Sequence, residues 1–89
     1  MKRISIFVTG KVQGVFYRAN TEKIANAIGL TGFVRNERDG RVYIEAQGSG
    51  EQLQQLLEWC RRGPERAEVK HVETKEIPVK NENGFRISR

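Results

Sequence analysis

The chain reads as an α+β domain of the ferredoxin-like type, a βαββαβ sandwich with two helices on one face of an antiparallel sheet. Three observations predict it. Short runs alternate apolar and polar residues with period two, two runs between them switch to helical spacing, and the order of runs is strand, helix, hairpin, helix, strand. The 89 residues suffice for one domain with a core, residues 1–89, but not for a second lobe that closes over a large substrate, so any site is expected to be shallow.

Each element follows from its residues. Ile4, Ile6 and Val8 alternate with Ser5, Phe7 and Thr9, the pattern of a half-buried strand. From about Arg18 to Ile28, residues Thr21, Ile24, Ala25 and Ile28 fall at i, i+3, i+4 and i+7 on one face of a helix that Gly29 can end. Thr31 to Asn36 and Arg41 to Gln47 are strand-like, and Asp39-Gly40 between them signals a tight hairpin turn. Ser49 with Gln52 forms a capping box ahead of Leu53, Leu56, Leu57 and Cys60, and Gly63-Pro64 stops this second helix. Ala67 to Ile77 mixes Val and Thr with charges and reads as an edge strand ended by Pro78. Phe85 and Ile87 form a short last strand or a return of the previous one. No repeat, low-complexity tract or linker interrupts the chain.

Composition narrows the chemistry. Sixteen Lys and Arg against eleven Asp and Glu give a net charge of +5, which favours an anionic ligand or a general attraction to nucleic acid. Cys60 is the single cysteine and His71 the single histidine, so neither an intrachain disulfide nor a Cys/His metal set is available. The apolar pattern behind Lys2 and Arg3 is too short for a signal sequence and no run approaches membrane-spanning length; a cytoplasmic protein without membrane contact is expected.

The stretch Gly10 to Arg18, GKVQGVFYR, joins the first strand to the first helix. A loop entering a helix offers unused backbone N–H groups at the positive end of the helix dipole. Gly10 and Gly14 let such a loop curl around an anion, Val12 and Val15 can anchor its ends, and Arg18 can grip a phosphate with two parallel hydrogen bonds. The plainer alternative is a glycine-containing turn with a solvated arginine.

Other candidates are weaker. Cys60 to Arg66 has the C-x5-R spacing of thiol phosphatases, but Cys60 lies at the wrong end of its helix, on the apolar face, where a thiolate is disfavoured; a core role is expected. Gly48-Ser49-Gly50 lacks the lysine of a Walker loop and reads as a turn with an N-cap. His71 is expected at the surface and Trp59 in helix-to-sheet packing. An RNA-binding sheet of this architecture carries paired aromatics on its central strands. The corresponding run GRVYIEAQ offers Tyr43 alone, with Glu45 beside it on the same face, which argues against base stacking.

Here the sequence resembles the acylphosphatase family. Gly10, Val12, Gln13, Gly14, Val15, Tyr17 and Arg18 meet the pattern G-x-V-Q-G-V-x-[FY]-R, and Gly32-Phe33-Val34-Arg35-Asn36 meets a second, G-[FYW]-[AVC]-[KRQAM]-N. The resemblance covers the whole chain in length and element order. It implies hydrolysis of acyl phosphates such as acetyl phosphate, carbamoyl phosphate and 1,3-bisphosphoglycerate to a carboxylate (carbamate for carbamoyl phosphate) and inorganic phosphate, without metal or organic cofactor. It also implies that Arg18 binds phosphate, that Asn36 positions the attacking water, and that the amides of Gln13, Gly14, Val15, Phe16 and Tyr17 line the phosphate loop. A monomer acting on a small-molecule substrate is expected. By residue type alone Asn36 is an ordinary strand-end residue, and Glu37 after it is expected to face solvent. A non-catalytic module that keeps the loop as an anion or effector site, and a nucleic-acid binder using the +5 charge, are the competing readings.

Overall fold

The computed structural model describes residues Met1–Ser88. In chain order the elements are β1 (Lys2–Lys11), α1 (Tyr17–Ile28), β2 (Thr31–Asn36), β3 (Val42–Gly48), α2 (Gly50–Arg62), β4 (Glu68–Ile77) and β5 (Phe85–Ile87). They form one sheet in the order β4-β1-β3-β2-β5 with both helices packed on the same face.

Alternation decides which face is buried. Ile6 and Val8 of β1, Val34 of β2, and Val42, Ile44 and Ala46 of β3 are sealed against Ala25 of α1 and Leu53, Leu56 and Cys60 of α2. Burying each larger aliphatic side chain contributes roughly 1.5–3 kcal/mol, so this layer supplies the main driving force. Local signals act where expected. Ser49 Oγ accepts from the Gln52 amide at 3.1 Å while Gln52 Oε1 accepts from the Ser49 amide at 2.8 Å, completing the capping box. Gly29 ends α1 in the left-handed conformation, its N–H donating to the carbonyls of Ala25 and Asn26. Asp39 and Gly40 turn the β2–β3 hairpin, closed by the Glu37 amide donating to the Arg41 carbonyl at 2.8 Å.

One expectation is corrected. The sheet is mixed rather than wholly antiparallel, because β5 pairs parallel with β2 at the edge opposite β4. The chain after β4 crosses the helix-free face, where Gln47 clamps Lys80 through its side-chain amide, accepting from the Lys80 N–H at 2.8 Å and donating to its carbonyl at 2.7 Å. That crossing carries Phe85–Ile87 to the far edge as a separate strand instead of folding it back on β4. The Trp59 ring meets that of Tyr17 in α1, centroids 5.1 Å apart, and packs against the buried core. Cys60 is fully buried, and burial pushes its thiol up to about 12, so it is an inert core group. His71 is exposed on β4.

Candidate active site

The loop between β1 and α1 begins later than the glycine pattern suggests. Gly10 and Lys11 still belong to β1, past an irregularity in the β1–β4 pairing after Thr9. A Cβ on Gly10 would collide with the carbonyl oxygen of Glu68, so this glycine serves close approach of β4 and does not curl around a ligand. The curl comes from Gly14 and Phe16, both left-handed at φ 74° and 65°, with Val15 between them on the ordinary negative side. Alternating handedness aims successive N–H groups at one point, the geometry of a backbone anion nest. Val12 and Val15 are buried and root the loop in the core, as expected.

Phe16 is also the N-cap of α1 and has no capping side chain. Its left-handed backbone disfavours a non-glycine residue, by about 1–3 kcal/mol. The first turn of α1 carries no acidic residue, so the positive end of the helix dipole is not neutralised. Among the described residues, no amide from Gln13 to Ala19 donates to the backbone outside regular elements or to a side chain. Of these residues Gly14, Phe16, Tyr17, Arg18 and Ala19, but not Gln13 or Val15, line an open cavity of about 740 Å³, together with Val12, Asn36, Ile87 and Ser88.

The side chains of the loop divide the work. Gln13 points away from the cavity, its Nε2 donating to the carbonyls of Glu37 at 2.7 Å and Arg41 at 2.9 Å. It thereby ties the loop to the hairpin that bears Asn36. Tyr17 is buried and its hydroxyl donates to the Cys60 carbonyl at 2.8 Å, which seats the first turn of α1 against α2. Burial, with Cys60 alongside, raises the Tyr17 phenol above its ordinary value, so it stays neutral. Asn20 Nδ2 donates to the Phe16 carbonyl at 2.9 Å and holds the strained residue in place. Arg18 lies half-exposed on the cavity wall, and among the described residues no carboxylate comes within ion-pair distance of it.

Asn36 closes the arrangement from the end of β2. Its Oδ1 is buried and has no hydrogen-bond partner among the described residues, although the residue lines the same cavity as Arg18. A buried amide oxygen without a donor is rare and unfavourable by about 1–3 kcal/mol, which makes it a natural acceptor for a water or ligand. Glu37 leans away, paired with Arg35 at 2.9 Å, so its charge does not enter the site. Sequence reading missed Ile87 and Ser88, brought to the cavity by β5, and the clamp made by the Gln13 side chain. The alternation of Phe85 and Ile87 signals a strand but not its place, which depends on crossing the sheet; for Gln13 the residue type is visible and its partners are not.

Fold and cavity together define a ferredoxin-like domain with a backbone anion cradle, a free guanidinium and an unsatisfied amide oxygen around one open space. The acylphosphatase family model matches residues 4–87. An acylphosphatase of Marinobacter nauticus is 54% identical over 82 residues, spanning 92% of this chain and 89% of the relative. The crystal structure of the acylphosphatase from Bacillus subtilis superposes with a TM-score of 0.97 at 32% identity, covering 100% of both chains. An acylphosphatase structure from Coxiella burnetii gives 0.94 at 39% identity, over 98% of this chain and 92% of that one. The chain belongs to the acylphosphatase family, and its activity is acyl phosphate hydrolysis.

Proposed function

We propose that hydrolysis takes place in this cavity, with the amides of Gln13 to Tyr17 and the Arg18 guanidinium holding the phosphoryl group and Asn36 orienting the attacking water. The observation that carries the assignment is the unpartnered Oδ1 of Asn36 in the wall that also holds Arg18. Water oxygen forms a bond to phosphorus as the bond from phosphorus to the acyl oxygen breaks, and the carboxylate leaves with that electron pair. Asn36 accepts one hydrogen bond from the water and fixes its approach in line with the leaving oxygen. The amides and Arg18 stabilise charge on the equatorial oxygens, the main protein contribution to phosphoryl transfer.

Neither Arg18 nor Asn36 is a base, so the water's proton passes to a phosphate oxygen. A carboxylate is a good leaving group, and the proposed route needs no metal, thiol or general base from the protein. Loop, arginine and asparagine all belong to one chain, which supports a monomer as the working unit, and the lone reduced Cys60 supports a cytoplasmic setting. Among the described residues no helix is long and apolar enough to cross a membrane. The test is turnover of acetyl phosphate and benzoyl phosphate by the purified chain in excess EDTA. Undiminished turnover is expected; turnover that vanishes with EDTA and returns with a divalent cation would overturn the metal-free route.

A further inference from the structure

The helix-free face of the sheet differs from what the isolated β3 pattern suggests. Phe7 of β1 lies directly opposite Tyr43 of β3 on the two innermost bonded strands, ring centroids 4.7 Å apart, and Phe33 of β2 follows at 6.0 Å from Tyr43. All three rings are half-buried and sit on the face that no helix covers. Arg41 lies over the Phe7 ring at 4.0 Å, Arg35 over Tyr43 at 4.8 Å, and Arg86 of β5 over Phe33 at 5.9 Å. Tyr43 is therefore one of a row of three rings, each with a guanidinium over it.

The second objection to stacking was Glu45, and the structure removes it as well. Arg3 Nε donates to Glu45 Oε1 at 2.9 Å, with Nη2 at 2.9 Å from the same oxygen but off hydrogen-bonding angle, and the Tyr43 hydroxyl donates to Oε2 at 2.7 Å. Lys80 Nζ stands 3.6 Å away. The carboxylate is neutralised by a buried arginine before any ligand arrives. Each of the three stacked arginines has one carboxylate partner, Glu37, Asp39 or Glu82, engaged through a single nitrogen: Nε of Arg35, Nε of Arg41 and Nη1 of Arg86. A guanidinium has five N–H donors, so the others remain for a phosphate.

We propose that this face binds single-stranded nucleic acid, its unpaired bases stacking on the guanidinium planes of Arg41, Arg35 and Arg86 where these are backed by Phe7, Tyr43 and Phe33, and its phosphates meeting the remaining N–H donors of the same arginines. Guanidiniums backed by rings on adjacent strands offer flat cationic surfaces to successive bases and spare donors to the backbone, combining the stacking and charge that sequence-tolerant single-strand binders use. A second copy of the chain fits less well, since it would bury these paired charges where interface cores are depleted of charge. The site is distinct from the catalytic cavity: Arg35 and Asn36 are consecutive on β2 and point to opposite faces.

The test is fluorescence anisotropy of labelled octa-uridine and octa-thymidine at low salt with the intact chain. Saturable binding is expected, weakening with salt, insensitive to saturating inorganic phosphate and to Arg18→Gln, and not displaced by duplex RNA. Phe7→Leu and Tyr43→Leu keep apolar bulk and are expected to weaken it by about tenfold each, as loss of a stacking ring does. Their acyl phosphate turnover should stay at the wild-type level, which verifies folding. No saturation up to about 10⁻⁴ M, the weak limit of non-specific binding, would overturn the proposal. So would binding that inorganic phosphate or Arg18→Gln abolishes, or that both leucine variants retain in full. Self-association without oligonucleotide binding would assign the face to a second copy instead.

Discussion

The loop at the head of α1 leaves its backbone amides without protein partners among the described residues, whereas the helix-free face of the same sheet pairs nearly every charge it carries. In the cavity the Asn36 oxygen and the loop amides wait for a ligand, and the Arg18 guanidinium stands without a carboxylate among the described residues. On the face, Arg3 is wholly buried between Glu45, Gln47 and Glu82, and three further arginines stand over aromatic rings at 4.0, 4.8 and 5.9 Å. The difference separates two uses of arginine. An unpaired guanidinium beside free amides concentrates binding energy on one small dianion, while paired and stacked guanidiniums stabilise the fold and offer a broad, weak surface.

The largest expected effect breaks the cavity alone. Arg18→Gln should lower kcat/KM for acetyl phosphate by about 10³-fold, the lower range for an arginine serving phosphoryl transfer, and weaken inhibition by inorganic phosphate in parallel. Thermal unfolding should hardly move, since among the described residues this arginine makes no ion pair and no side-chain hydrogen bond. Asn36→Ala sharpens the division within the cavity: kcat should fall by about 10²-fold, as for a misplaced reactant, while the inhibition constant of inorganic phosphate stays near wild type. Near-normal kcat in this variant would remove Asn36 from the mechanism.

Gln13→Leu acts between loop and hairpin. It removes two hydrogen bonds to carbonyls that keep other donors, so stability should drop by about 1–3 kcal/mol in urea titration. Turnover should fall by roughly tenfold as the loop and Asn36 lose their fixed separation, less than the ~10² of a full ångström's misplacement.

The smallest effect belongs to the face and is read from the pH dependence of stability. Burial raises the Glu45 carboxyl, but the Tyr43 hydroxyl, Arg3 and Lys80 outweigh it and hold the group below its ordinary value; Glu82 is likewise held down by Arg86 and Arg3 against its burial. A carboxyl depressed in the folded state contributes stability above its unfolded pKa and loses it as pH falls through the folded pKa. The Tm of the wild type should therefore fall below about pH 4, and that of Glu45→Gln should start lower at neutral pH and fall less. Parallel Tm curves for the two proteins would mean that the Arg3 cluster does not hold this face together.

Much of the fold was legible because its signals are local. The capping box at Ser49, the Asp39-Gly40 turn and the period of each run depend on residues within a few positions of one another. The site was legible in its residue types: a loop rich in glycine, an arginine at its end, and an asparagine after the next strand. What escaped reading involved partners far apart in sequence. By sequence alone Gly10 looks like a loop residue, because the close approach of Glu68, on β4, is a non-local event. Tyr43 was read as solitary because Phe7 reaches it only through the β1–β3 register, and Glu45 as repulsive because Arg3 and Lys80 come from other strands and loops.

By itself, then, the sequence determined the elements, their apolar faces and the chemical inventory of the site, since periodicity, capping and residue type are properties of neighbouring positions. Only the tertiary structure decided the parallel seating of β5, the orphaned oxygen of Asn36 in the wall that holds Arg18, and the row of rings and guanidiniums on the open face. Those features arise from register and chain crossing, which bring together residues whose encounter no local preference encodes.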